Sequence, residues 1–142
     1  SAPARGLMTL EALDAIHRRL CAAVAEAGGR ILDIFICPHL PADGCSCRKP
    51  KPGLLHAAQR KYGIDFSSAV MIGDSVTDIE CALNAGVRTT VLVQTGNGEK
   101  AARELSARGL RPGFIAQDLN RAVDWLVKTD SSGKGMPRPA AF

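Results

Sequence analysis

Residues 69 to 93 read AVMIGDSVTDIECALNAGVRTTVLV, and the alternation inside this stretch decides the fold. AVMI, residues 69 to 72, is a short apolar run, too brief for a buried helix, and reads as a buried strand. GDSVTD, residues 73 to 78, interrupts it with glycine, hydroxyl and carboxylate residues of the kind that favour a turn and a helix start. A helix is expected from about Thr77 to Ala85, closed by Gly86. VRTTVLV, residues 87 to 93, is a second apolar, β-branched run. A strand, a helix and another strand in close succession form a βαβ crossover, whose two strands run parallel.

The same alternation extends in both directions. Thr9 is placed to cap a helix whose apolar residues Leu10, Leu13, Ile16, Leu20 and Val24 share one face, with Gly28-Gly29 as its stop. ILDIFI, residues 31 to 36, is rich in Ile and is expected to be a further buried strand. Pro52 opens a helix that runs to about Tyr62, with Gly63 beyond it. After residue 93 come a glycine-rich loop, QTGNGEK, a helix near Lys100 to Arg108, a short edge strand GFIA at 113 to 116, and a helix from Leu119 to Lys128. The fold class is therefore α/β, a Rossmann-like parallel sheet with helices on both faces. Residues 1 to 128 are assigned to this domain. Residues 129 to 142, TDSSGKGMPRPAAF, are polar and rich in Gly and Pro and are expected to be a disordered tail.

Composition narrows the function. The 142 residues carry a formal charge of +4 and few aromatics. No basic run or RNA-binding aromatic motif is present, which argues against a nucleic-acid partner. No apolar run approaches the roughly 20 residues of a membrane span, and no secretion signal is visible. The five cysteines are an odd number without such a signal, so a reducing, cytoplasmic setting and a metal site fit better than a disulfide framework. Cys21 and Cys81 fall within helical patterns and read as small buried hydrophobes.

The other three cysteines crowd into CPHLPADGCSCRKPKPG, residues 37 to 53. Cys37, His39, Cys45 and Cys47 offer three thiolates and one imidazole, a donor set that suits tetrahedral zinc with no open position, hence a structural site. Clustered reduced thiols, or a redox pair at Cys45 and Cys47, are the competing readings. Arg48 and Lys49 follow the last donor at once. A guanidinium and an ammonium at the mouth of a parallel sheet suit an anionic ligand, against the plainer reading of two solvated cations. Asp74 stands at a strand end, where a carboxylate can hold Mg²⁺ beside a phosphate, or simply form a turn. Asp78 falls at a helix start, where a carboxylate caps and is favoured by the dipole.

Together, CPHLPADGCSCRKPKPG, MIGDSVTDIECALNAGV and VLVQTGNG resemble the haloacid dehalogenase superfamily of phosphatases. The branch they look like is the zinc-containing D-glycero-D-manno-heptose 1,7-bisphosphate 7-phosphatases, with histidinol-phosphatases as a near relative. The resemblance covers about residues 1 to 128. It implies Cys37, His39, Cys45 and Cys47 as zinc ligands, Lys49 as the lysine that steadies the phosphoryl group, and Arg48 as a substrate contact. It further implies Asp74 as a Mg²⁺ ligand, and Ser75 and Ser1 at the substrate site. The implied partner is a small phosphorylated sugar, and the implied state a monomer.

One departure from that family is plain. Its chemistry uses an Asp-x-Asp pair, one carboxylate attacking phosphorus and the other protonating the leaving oxygen. No two of the aspartates here, at 14, 33, 43, 65, 74, 78, 118, 124 and 130, are two apart. The expectation is a sheet lacking the strand that carries the nucleophile, and a chain that hydrolyses nothing alone. Two function classes follow: part of a Mg²⁺-dependent sugar phosphatase, or a non-catalytic zinc-ordered module that binds phosphate.

Overall fold

The computed structural model describes residues 3–131. The chain divides between Arg48 and Lys49 into two compact units.

In the first unit a short 3₁₀ turn at Pro3–Arg5 precedes helix α1, Leu10–Glu26. Thr9 caps α1 as its sequence position predicts: the hydroxyl oxygen accepts from the Ala12 N–H at 3.1 Å. Leu10, Ile16 and Leu20, on the apolar face of α1, are nonetheless exposed. Residues 31 to 36 form no strand, which corrects the expectation for ILDIFI. Branched apolar residues favour extended backbone, but a strand also needs a ladder partner. Among the described residues the ladder joins three other segments only. A second 3₁₀ turn, Pro41–Asp43, lies between the two pairs of soft donors. The Asp43 carboxylate accepts from the Leu40 N–H at 2.8 Å and closes that turn.

The second unit holds the sheet. Its order is α2 (Gly53–Tyr62), β1 (Val70–Gly73), α3 (Val76–Ala85), β2 (Thr89–Val93), α4 (Gly98–Ala107), β3 (Phe114–Ala116) and α5 (Leu119–Ser131). The strands are parallel in the order β1-β2-β3. Val70 pairs with Thr89, and Val91 with Phe114. The βαβ crossover read from residues 69 to 93 is thus formed. Helix α5 takes in Thr129 to Ser131, the first residues assigned to a tail; the rest of that segment lies outside the described residues.

Strand β2 is buried throughout, and its side chains alternate between two cores. Leu92 joins Val76 and Ile79 of α3 and Ala101 and Leu105 of α4. Val91 and Val93 face the other way, to Ala116, Ala122 and the Phe114–Trp125 stack. A third cluster, Phe66, Ala82 and Val87, receives Leu55 of α2. A parallel sheet covered on both faces follows from this alternation. Leu92 is fully buried, so Leu92→Ala is expected to lower the unfolding free energy by about 2–5 kcal/mol in urea titrations. A loss below about 1 kcal/mol would mean that the helices do not pack on β2 as described.

Candidate active site and metal cluster

The β1–α3 turn concentrates its polar groups on one carboxylate. Ser75 is the N-cap of α3 and Asp78 its third residue, and together they close a capping box. The Ser75 hydroxyl accepts from the Asp78 N–H at 3.2 Å. Asp78 Oδ2 accepts from the N–H groups of Asp74 and Ser75, each at 3.2 Å, and from the Ser75 hydroxyl at 2.7 Å. Its other oxygen, Oδ1, pairs with Lys49 Nζ. Asp78 is 4% exposed, a burial that a charged carboxylate tolerates only when fully bonded. Gly73 makes room for it: a Cβ there would lie 2.6 Å from the Asp78 carboxylate carbon.

Burial alone pushes the Asp78 carboxyl up. The Lys49 and Ser75 hydrogen bonds and the Lys49 charge outweigh it and hold the group below the ordinary carboxylate range. A depressed carboxylate stabilises the fold above its unfolded pKa and loses that contribution as pH falls through the folded value. Asp78→Asn is therefore expected to be less stable than the parent at pH 7. The gap should close on acidification below about pH 4. Denaturant midpoints across pH 2–8 test this, and a gap independent of pH would refute the pairing.

Asp74, the last residue before the cap, has its backbone fixed by Asp78 and its side chain met by the loop after β2. The Asn97 N–H donates to Asp74 Oδ2 at 3.1 Å. Lys49, Asp74, Ser75 and Asp78 are thus brought together at the carboxyl end of β1, as the sheet rule for such folds anticipates. The Lys49–Pro50 peptide is cis. Sequence reasoning missed Gly96 and Asn97. The signal was the QTGNGEK loop itself, because a glycine-rich loop leaving the next parallel strand opens on the same sheet edge.

In the first unit, Cys37, His39, Cys45 and Cys47 converge, with one donor atom from each lying within 4.8 Å of all the others. The sulfur separations are 3.3, 3.4 and 3.7 Å, and His39 Nδ1 lies 3.2 Å from Cys47 Sγ and 3.8 Å from Cys37 Sγ. Tetrahedral zinc, with bonds of about 2.3 Å to sulfur and 2.0–2.1 Å to nitrogen, requires edges of roughly 3.6–3.8 Å. The donor set fits. Cys47 is pushed up to about 12, first by its hydrogen bond to Cys37, then by burial and by Cys45. At Cys45 burial raises the pKa, but hydrogen bonds from Cys47 and Cys37 outweigh it and lower it. The neighbouring thiols thus favour the thiolate at Cys45 and oppose it at Cys47, and a central cation would favour it at both. Arg48 turns back on this loop, its guanidinium donating to the His39 carbonyl at 3.2 Å. Ser1 lies outside the described residues.

Comparison with known proteins gives the class. The HAD-hydrolase-like family model matches residues 46–122, and the chain belongs to this haloacid-dehalogenase-like family of hydrolases. Among its relatives is the D-glycero-beta-D-manno-heptose-1,7-bisphosphate 7-phosphatase of Bordetella bronchiseptica, 41% identical over 126 residues, covering 88% of this chain and 68% of that one. The proteins of the same name from Pseudomonas aeruginosa and Pseudomonas putida are 48% and 50% identical, over 88% and 68% of this chain and 68% and 55% of theirs. The crystal structure of the B. bronchiseptica D,D-heptose 1,7-bisphosphate phosphatase, complexed with magnesium and phosphate, matches with a TM-score of 0.79 at 40% identity. That match covers 90% of this chain and 70% of the other. The chain therefore spans between about half and two thirds of the length of these relatives.

Proposed function

We propose that this chain supplies the lysine, the acidic metal ligand and the zinc-ordered loop of a Mg²⁺-dependent phosphatase that removes the 7-phosphate of D-glycero-D-manno-heptose 1,7-bisphosphate. The observation that carries this reading is the Lys49–Asp78 pair beside Asp74 at the carboxyl end of β1. The relatives named above supply the substrate class. A small phosphorylated sugar as the ligand, a monomeric state, a cytoplasmic location and the lack of a nucleic-acid partner all fit it. No described helix is long and apolar enough to cross a membrane.

In this reading Lys49 meets the phosphoryl oxygens. Asp78 limits how far the ammonium can wander, so its charge is already in place where negative charge develops. Asp74 would hold Mg²⁺, which when bound neutralises charge on the phosphoryl group. Ser75 is a substrate contact whose hydroxyl is oriented by the cap. Arg48, held by the His39 carbonyl, offers a second cation to the substrate. Cys37, His39, Cys45 and Cys47 would hold zinc, whose work is to order a loop with little core of its own.

Phosphate release, ligand binding, metal content and thermal stability test this. The 142 residues contain no Asp-x-Asp, so the chain alone is expected to release no phosphate from heptose bisphosphate, and release at enzymatic rates would refute the assignment. With Mg²⁺ present the chain should bind heptose bisphosphate more tightly than histidinol phosphate. Lys49→Ala should weaken that binding about tenfold or more. A preference for histidinol phosphate would overturn the substrate. Metal analysis should find about one zinc per chain, and Cys45→Ser should lower both zinc content and thermal midpoint. Full occupancy in the variant would exclude Cys45 as a ligand.

A further inference from the structure

We propose that the loop joining β2 to α4 positions the Asp74 carboxylate through Gly96 and Asn97: it engages Oδ2 and so leaves Oδ1 to meet the divalent cation. The inference rests on the reading of Asp74 as a metal ligand.

The geometry comes from two sides. The Asn97 N–H donates to Asp74 Oδ2 at 3.1 Å. Gly96 adopts φ +60°, and a Cβ there would overlap the same Oδ2 and lie 3.3 Å from its carboxylate carbon. The loop thus presses bare backbone against one oxygen. Among the described residues Oδ1 of Asp74 accepts no hydrogen bond, whereas the Asp74 N–H is already tied to Asp78.

The loop can serve as a brace because it is anchored at both ends. Gln94 N–H donates to the Ala116 carbonyl at 2.9 Å, Gly98 N–H to Thr95 at 3.0 Å and Ala101 N–H to Asn97 at 2.9 Å. Gly98 also packs so closely on β2 that a Cβ would lie 2.7 Å from the Val93 carbonyl carbon. A carboxylate held by one oxygen presents the other in a single direction. Small Mg²⁺, which demands near-octahedral geometry and is usually held by one or two carboxylates, gains most from such orientation.

Gly96→Ala tests the brace, with Gly86→Ala as its control. Gly86 has φ +79° and open space for a Cβ, so it incurs the same backbone strain without touching a carboxylate. Both are made in the full chain, alongside Asp74→Ala and the Gly96→Ala/Asp74→Ala pair. Gly96→Ala should lower the thermal midpoint more than Gly86→Ala does, and the excess should vanish in the pair. An equal loss with and without the Asp74 carboxylate would overturn the proposal.

Mg²⁺ affinity by calorimetry should fall about tenfold or more in Gly96→Ala and be unchanged in Gly86→Ala. Equal affinity in both would also overturn it. Should Gly96→Ala fail to fold, exchange of the Asn97 amide hydrogen decides: Asp74→Ala should accelerate it about tenfold. Unaltered exchange means that the loop does not hold this carboxylate. Mg²⁺ binding that is absent, or indifferent to Asp74→Ala, overturns the metal-ligand reading and the cation half of this inference. The stability cycle still reports on the brace itself in that case.

Discussion

The site at the end of β1 depends on one buried carboxylate. Asp78 accepts from the backbone of Asp74 and Ser75, caps α3, and pairs with Lys49. Each of these contacts could be made by a different residue. Concentrating them on one side chain couples helix initiation, strand termination and placement of the cation. The coupling is possible because a carboxylate has two oxygens with several acceptor directions. One oxygen serves the turn and the other serves Lys49. Removing either set would leave buried charge without its partners, which costs more than the pair contributes.

The cysteine loop uses a different principle. Residues 37–47 bury almost nothing, and apart from the short turn at Pro41–Asp43 the segment has no regular structure. Hydrophobic burial therefore cannot hold it. Convergence of four soft donors offers a substitute for a core, one that a bound metal would supply through coordination bonds instead of apolar area. The two units thus rest on different sources of order. In the second, alternation along β2 feeds two apolar layers, and the polar turn is an outgrowth of that packing.

Much of the second unit was legible in the sequence because local signals agreed with the global packing. The apolar runs at 69 to 72 and 87 to 93, the helix stop at Gly86 and the capping role of Asp78 all point to one βαβ unit. The donor set at Cys37, His39, Cys45 and Cys47 was legible because so few arrangements bring three thiols and an imidazole so close in sequence. ILDIFI was misread because propensity describes a residue's preference, whereas a strand is a relation between two segments. The end of α5 was misread because Thr129 and Asp130 are weak helix formers, yet Thr129 returns a hydrogen bond to the Trp125 carbonyl and continues the helix. The hold of Asn97 on Asp74 was invisible because residues 23 apart meet only once the strands are paired.

The fit of Gly73 against Asp78 has a consequence for how this turn can change over time. Any side chain at position 73 collides with the carboxylate at 78, and a change at 78 removes the group that closes the cap and pairs with Lys49. Neither position can drift alone without disturbing the cap and the cation it holds. Genetic change should therefore reach the two sites jointly or not at all, and a lineage that abandons one has little reason to keep the other.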